Sequence, residues 1–167
     1  MRLVFVSNCG ISQETSIEAQ VHKMKYMEML KEQLEKIENS DEWLEKVESH
    51  APALEVEGLK FTVDVPLVDM IGDNLTYYVT QDANRKYHLS DYGYTMFNIE
   101  SYSSFSSPKI KKAIRHYADA HGIEVADETK NNVTLSVEFD TSDKKDFKKA
   151  VKTMALAQLR LYLLLDE

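Results

Sequence analysis

The stretch from Leu59 to Ser90 contains three short runs rich in β-forming residues, separated by tight turns. Apolar and polar side chains alternate over residues 59–65 and again over residues 75–80, and residues 87–90 return after a polar loop. Because successive side chains of a strand point to opposite faces, these runs predict strands with one buried face. Their connections are too short for parallel crossovers, so we expect an antiparallel meander. Pro66 is expected to end the first strand.

A long amphipathic helix is predicted before this meander. Thr15 and Glu18 have the spacing of a capping box, and an apolar stripe follows from Ile17 to Ile37. We expect this stripe to contact the chain's own sheet, while the alternative is a docking surface for a partner helix. A second helix, or a bent continuation of the first, is predicted over residues 41–49.

Further helices and a hairpin are predicted after the meander. They are a helical turn at 95–99, a helix beginning at Ser107-Pro108 and stopped by Gly122, a β-hairpin of residues 123–125 and 133–139, and a final helix capped by Ser142. The end of the final helix, Met154 to Leu165, is apolar nearly all round. Such a segment must be buried on several sides, either within the fold or in a dimer interface, and we expect a homodimer.

These patterns together predict the α+β class. We expect an antiparallel sheet of about five short strands packed by amphipathic helices, with a long N-terminal helix and an apolar C-terminal helix. Residues 1–50 are expected to form an N-terminal strand and helical segment, and residues 51–167 the α+β domain. A chain of 167 residues is of ordinary single-domain size, so both parts are expected to form one compact unit.

The composition favours a reducing compartment. Cys9 is the only cysteine, which excludes an intramolecular disulfide and a cysteine-based metal site. The apolar run from Leu3 to Val6 is too short for a secretory signal, and no apolar run approaches the roughly 20 residues of a membrane helix. We expect a cytoplasmic protein, without membrane contact, in a prokaryotic or phage-infected cell.

Negative charge is concentrated in the first two thirds of the chain. The net charge is −8, and residues 1–106 hold 18 acidic and 9 basic side chains, whereas residues 107–167 hold 10 and 11. Because phosphate contacts need clustered Lys and Arg, such a protein is poorly suited to bind nucleic acid directly. Its field favours basic partners, including proteins that themselves handle nucleic acid.

The central block, VPLVDMIGDNLTYYV followed by YHLSDYGYTMFNIE, resembles a known pattern. It is similar to the uncharacterised phage and bacterial family catalogued as the domain of unknown function numbered eighteen twenty-eight, over about residues 59–140. The matching positions are Pro66, Leu67, Asp69, Asp73, Tyr77, Leu89, Asp91, Gly93, Tyr94 and Thr95. Met70 and Ile71 stand where the family often carries an Arg-His pair. The resemblance implies a small α+β domain of prokaryotic or mobile-element origin, without an established activity.

The aspartates of this block allow an enzymatic interpretation. Asp69, Asp73 and Asp91, with Asp64, could bind Mg²⁺ in a metal-dependent nuclease, since hard cations favour clustered carboxylates. The alternative is that turn aspartates bond their own backbone, as Asp commonly does beside Gly and Asn. We favour the alternative, and we predict no catalytic residue, no cofactor and no metal.

A lysine stripe supports a third interpretation. Lys144, Lys148 and Lys152 fall on one face of the last helix and could contact phosphates in a nucleic-acid-binding accessory protein. Such a row is more often a solvated helix face, so this function remains an alternative.

The leading functional prediction is a non-catalytic, acidic accessory protein that binds a basic or nucleic-acid-handling protein. Asp91, Tyr92 and Tyr94, together with Asp73, are the predicted interaction residues, because aromatic side chains on exposed turns are favoured interface anchors. One form of this prediction is a phage or mobile-element inhibitor of a nucleic-acid-dependent bacterial defence system, of the anti-CRISPR or antirestriction type. The nuclease and the nucleic-acid-binding protein are the alternatives.

Overall fold

The computed structural model describes residues 17–18, 24–52, 57–129 and 132–165. The predicted N-terminal strand and the capping residue Thr15 lie outside these ranges. Among the described helices, none is long and apolar enough to cross a membrane.

The described residues form an antiparallel sheet packed by helices, which confirms the predicted α+β class. The strands are β1 (Glu48–His50), β2 (Leu59–Val68), β3 (Asn74–Gln81), β4 (Tyr87–Ser90), β5 (Glu124–Thr129) and β6 (Asn132–Phe139). The helices are α1 (residues 24–39), α2 (Tyr94–Tyr102), α3 (Ser107–His121) and α4 (Lys144–Leu164), with a 3₁₀ helix at Glu42–Lys46. The described sheet has six strands, rather than the predicted five or so.

The strand order of the sheet is β1-β2-β3-β4-β6-β5, and every neighbouring pair is antiparallel. The first four strands follow the chain as a meander, of which β2, β3 and β4 were predicted and β1 was not. The later hairpin enters with β6 next to β4, where Leu89 lies opposite Val137. The end of β4 is therefore an interior position of the sheet, between β3 and β6.

The apolar stripes of the helices pack into one hydrophobic core. Met27, Leu30 and Ile37 of α1 are buried in it, and the Gln33 side chain bonds the backbone N–H and C=O of Val68 at 2.8 and 3.0 Å. The expected packing of the stripe within the chain is thus confirmed from Met27 to Ile37, whereas Ile17 and Met24 at its start are exposed. Most of the apolar end of α4 is buried in the same core, with Leu164 exposed. Burial within one chain thus accounts for the apolar composition of this segment. The homodimer stays a prediction.

Strand β2 is longer than predicted, because it continues through Pro66 to Val68. Its pairing with β3 is irregular between Asp64 and Val68, so the proline lies where no ladder bond is needed from its nitrogen. The expectation that Pro66 ends the strand was therefore wrong.

Residues 41–49 do not form the predicted helix. A 3₁₀ helix ends at Lys46, and Glu48 to His50 pair with Asp64 to Thr62 at the edge of the sheet. Pairing with a distant strand overrides the local helical pattern here. The last helix also begins slightly later than predicted, since Asp143 is its cap and accepts the N–H of Lys145.

Gly72 offers a test of the turn between β2 and β3. Its φ is +86°, and an added Cβ would lie 2.9 Å from Cε1 of Tyr26, whereas Gly122 has φ +67° and open space around it. We expect Gly72→Ala and Gly122→Ala each to lose about 1–2 kcal/mol from the left-handed backbone alone. Only Gly72→Ala should lose additional stability, because its Cβ would lie too close to the Tyr26 ring. Equal losses in urea unfolding of the two variants would contradict this.

Candidate binding site between the sheet and helix α2

The turn after β4 is built around a buried carboxylate. Asp91 is 0% exposed, and its Oδ1 accepts the N–H groups of Gly93 and Leu135, each at 2.9 Å. Its Oδ2 accepts the N–H of Thr95 at 3.3 Å. Asp91 thus joins the end of β4 to the start of α2 and to β6. The expectation that Asp91 is displayed at an exposed corner was wrong, because β6 covers it.

The next residues of the same turn include two predicted interaction residues, Tyr92 and Tyr94. Tyr92 has a φ of +54°, a left-handed conformation that is uncommon for a bulky side chain. Its ring stacks on Tyr78 of β3, with centroids 4.5 Å apart and planes 15° apart. Tyr94 lies 6.4 Å from Tyr78, also at 15°, and meets Phe97 edge-on at 6.4 Å. The strained turn therefore assembles four rings, which we call the aromatic patch (Tyr78, Tyr92, Tyr94 and Phe97).

A second aspartate organises the turn after β2. Oδ1 of Asp69 accepts the N–H groups of Ile71 and Asp73 at 2.9 and 3.0 Å, while Oδ2 receives Nδ2 of Asn98 at 3.3 Å. Asp69 is buried, and Asp73 is exposed. The interpretation of turn aspartates as backbone acceptors is confirmed for Asp69 and Asp91.

A buried polar network lies behind Asp69. The Tyr77 hydroxyl donates to Oε1 of Gln158 at 2.6 Å, and Nε2 of Gln158 and Nδ2 of Asn98 donate to the Tyr162 hydroxyl at 3.3 and 3.1 Å. These four side chains are buried and connect β3, α2 and α4. Sequence reasoning missed them, although a glutamine within the apolar end of α4 was an available signal.

A pocket opens between the Asp69 turn, β3 and α2. Its volume is about 300 Å³, and its lining includes the buried residues Asp69, Asn98 and Gln158, which we call the floor. Tyr78, Tyr94 and Phe97 of the aromatic patch line its walls, and Asp73 lies at its edge. Tyr94 is 49% exposed and Phe97 61% exposed. The pocket thus combines exposed aromatic walls with a buried polar floor.

Burial governs the ionisation of the groups around this pocket. It raises the pKa of the Asp69 carboxyl, and it raises the pKa of Asp91 although backbone N–H groups hold its charged form. Burial likewise raises the pKa of the Tyr77 and Tyr162 hydroxyls. Both tyrosines of the network therefore remain neutral at physiological pH, Tyr77 as the donor to Gln158 and Tyr162 as the acceptor from Asn98 and Gln158.

The raised pKa of Asp69 predicts a pH dependence of stability. Because the carboxyl has a higher pKa in the folded than in the unfolded protein, folding favours its protonated form. That contribution is complete below the unfolded value of about 3.9 and is lost as the pH rises through the folded pKa. We expect wild type to gain stability relative to Asp69→Asn as the pH falls from about 7 towards that value. A difference in urea midpoints that does not change with pH would contradict this.

The three aspartates of the nuclease hypothesis do not share one site of free carboxylates. Asp69 and Asp73 belong to one turn, whereas the Asp91 carboxylate lies in another turn and is engaged by backbone N–H groups. Within the described ranges, no group of three or more His, Cys, Asp or Glu side chains is arranged to hold a metal ion.

The lysine stripe is partly paired with acidic residues near the 3₁₀ helix. Lys148 Nζ lies 2.6 Å from Oε1 of Glu45, and Lys152 bonds Asp41. These contacts hold the 3₁₀ segment against α4 and reduce the charge that this face could offer to phosphates.

A family model for the domain of unknown function DUF1828 matches residues 65–161, which is more than half of the chain. The chain belongs to the DUF1828 family. The expected resemblance is confirmed, and the match extends further towards the carboxyl end than the predicted limit. Both turn aspartates, the aromatic patch and three of the four network residues lie within the DUF1828 match, whereas Tyr162 lies one position beyond it. Helix α1, the 3₁₀ helix and β1 precede the match. No curated protein and no solved structure matches the chain.

Proposed function

We propose that this protein is a non-catalytic binding protein that engages a basic protein partner through the aromatic patch. The observation that carries this proposal is the exposure of Tyr94 and Phe97 beside the acidic pocket floor. Large exposed aromatic side chains that surround a pocket are typical anchors of protein interfaces. The excess of acidic residues before residue 107 favours a basic partner over an acidic one.

The patch is supported from beneath, which suits it for recognition. Tyr78 lies on β3, and Tyr94 and Phe97 lie on α2, whose start is fixed by the buried Asp91. An interface whose anchors are already ordered loses less conformational entropy when a partner binds.

A finer form of the proposal names the class of partner. A basic protein that handles nucleic acid presents cations that normally meet phosphates, and an acidic surface can compete for them. An inhibitor of a bacterial defence system, encoded by a phage or mobile element, would act in this way. This form rests on the charge distribution and on the phage and bacterial character of the family.

The test is affinity capture from a bacterial lysate, with partners identified by mass spectrometry. Wild type is compared with the double variant Tyr94→Ala/Phe97→Ala and with Tyr102→Ala, which removes a 54% exposed ring of the same helix outside the pocket. We expect a basic protein to be retained by wild type and Tyr102→Ala and lost by the double variant. Its affinity should fall as salt concentration rises.

Two outcomes would overturn the proposal. One is retention of the same partner by the double variant, which would place the interface elsewhere. The other is an affinity that does not change with salt concentration, which would show that charge does not favour a basic partner.

A further inference from the structure

The floor of the pocket has unused capacity to accept hydrogen bonds. Oδ1 of Asp69 receives two backbone N–H groups, but among the described residues Oδ2 receives only Nδ2 of Asn98, at 3.3 Å. That amide group also donates to Tyr162, at the shorter distance of 3.1 Å. Since a carboxylate can accept about four hydrogen bonds, Oδ2 can still accept donors from a ligand.

The charge of this floor is not balanced by the described part of the chain. No Lys, Arg or His side chain of the described residues forms an ion pair with Asp69 or Asp73. A buried carboxylate without a counter-charge is costly, and burial accordingly raises the pKa of Asp69. A cation in the pocket would compensate the charged form of this carboxyl.

The walls of the pocket favour the same kind of ligand. The rings of Tyr78 and Tyr94 are close to parallel, and that of Phe97 is nearly perpendicular to Tyr94. Aromatic faces attract cations through their quadrupole, and arginine is found on them more often than lysine. A guanidinium is planar, weakly hydrated and able to donate several hydrogen bonds to a carboxylate while stacking on a ring.

From these walls and this floor we infer that the pocket receives an arginine side chain of the partner protein. The guanidinium lies against the rings of Tyr78 and Tyr94 and donates to Oδ2 of Asp69, with Asp73 contributing negative charge at the edge. A volume of about 300 Å³ is sufficient for one such side chain. The inference rests on the proposed binding of a basic protein and adds the side chain that is recognised.

The test uses a blocked pentapeptide with a central arginine flanked by glycines, at low salt. The same peptide with citrulline has nearly the same shape without the charge, and the peptide with lysine keeps the charge without the planar group. Binding is followed by the NMR shifts of backbone amides during titration. We expect changes centred on the Asp69 turn and α2, with a dissociation constant of about 1 mM, and at least tenfold weaker binding of citrulline.

Protein variants complete the test. Asp69→Asn and Tyr94→Ala should each weaken binding of the arginine peptide several-fold, and Asp73→Asn should weaken it less, because Asp73 is exposed to solvent. Tyr102→Ala is the matched control and should bind like wild type. The citrulline comparison needs no variant, so the inference remains testable if Asp69→Asn folds poorly.

The inference is overturned if arginine and citrulline peptides bind equally, if lysine binds as tightly as arginine, or if the shift changes lie away from the pocket. If the arginine peptide fails while the aromatic variants still lose a basic partner, the inference fails and the proposed function stands. If the peptide binds as expected but no basic protein is captured through the patch, the proposed function fails and the pocket's preference for arginine stands.

Discussion

Replacing Asp91 by alanine should lower the free energy of unfolding by about 3–5 kcal/mol. The substitution leaves three buried N–H groups, those of Gly93, Thr95 and Leu135, without their acceptor. Each buried donor without a partner costs about 1–3 kcal/mol, and relief from burying a charge offsets part of the sum. Urea unfolding followed by circular dichroism measures the loss, and the melting temperature should fall by roughly 10 °C.

Asp82 provides the matched control. Its carboxylate also accepts two turn N–H groups, from Asn84 and Lys86 at 2.8 and 3.0 Å, but the residue is exposed. Water can replace those bonds, so Asp82→Ala should cost no more than about 1 kcal/mol. If Asp91→Ala and Asp82→Ala proved equally mild, the buried carboxylate would not be what holds β4, α2 and β6 together.

Replacing Trp43 by alanine should cost about 3–5 kcal/mol. Trp43 belongs to the 3₁₀ helix, is only 3% exposed, and is part of the hydrophobic core. The segment lies before the DUF1828 match, so this variant tests whether the preceding residues unfold together with the family domain. We expect a single transition in urea unfolding that shifts to lower denaturant.

Trp43→Phe separates packing from hydrogen bonding. The indole Nε1 is buried, and none of the described residues accepts a hydrogen bond from it. Phenylalanine would therefore lose packing but no hydrogen bond, and should cost less than about 2 kcal/mol.

In wild type, the fluorescence of this single tryptophan should change at the same urea concentration as circular dichroism. Separate midpoints would show that the 3₁₀ segment is not part of one cooperative unit.

The meander could be predicted because its information is local. Leu75, Tyr77 and Val79 alternate with less buried residues, and all three are buried as the period of two requires. The helix before Gly122 could be predicted for the same reason, since a glycine in left-handed conformation ends it. Local patterns of side chains and turns sufficed for these elements.

What the sequence did not predict depends on distant partners. Asp91 has the local signature of a turn residue, and its burial follows from β6, whose Leu135 is 44 positions further along the chain. The strand at Glu48–His50 forms because it can pair with the edge of β2. No local sequence pattern predicts it. The candidate pocket likewise combines residues from β3, α2 and α4, whose proximity only the fold creates.

The position of β6 has a consequence for the order of folding. Strands β1 to β4 meet through neighbouring segments, whereas β4 can pair with β6 only after α2, α3 and β5 have been traversed. Closing so long a loop is slow relative to forming hairpins, so we expect the β2–β3–β4 meander to precede the β4–β6 pairing. In pulsed hydrogen exchange, the amides of β3 should become protected before the amide of Leu135. The reverse order would contradict the expected order of folding. If β6 pairs last, the candidate pocket gains its fixed α2 wall only at the end of folding, when β6 binds the Asp91 turn.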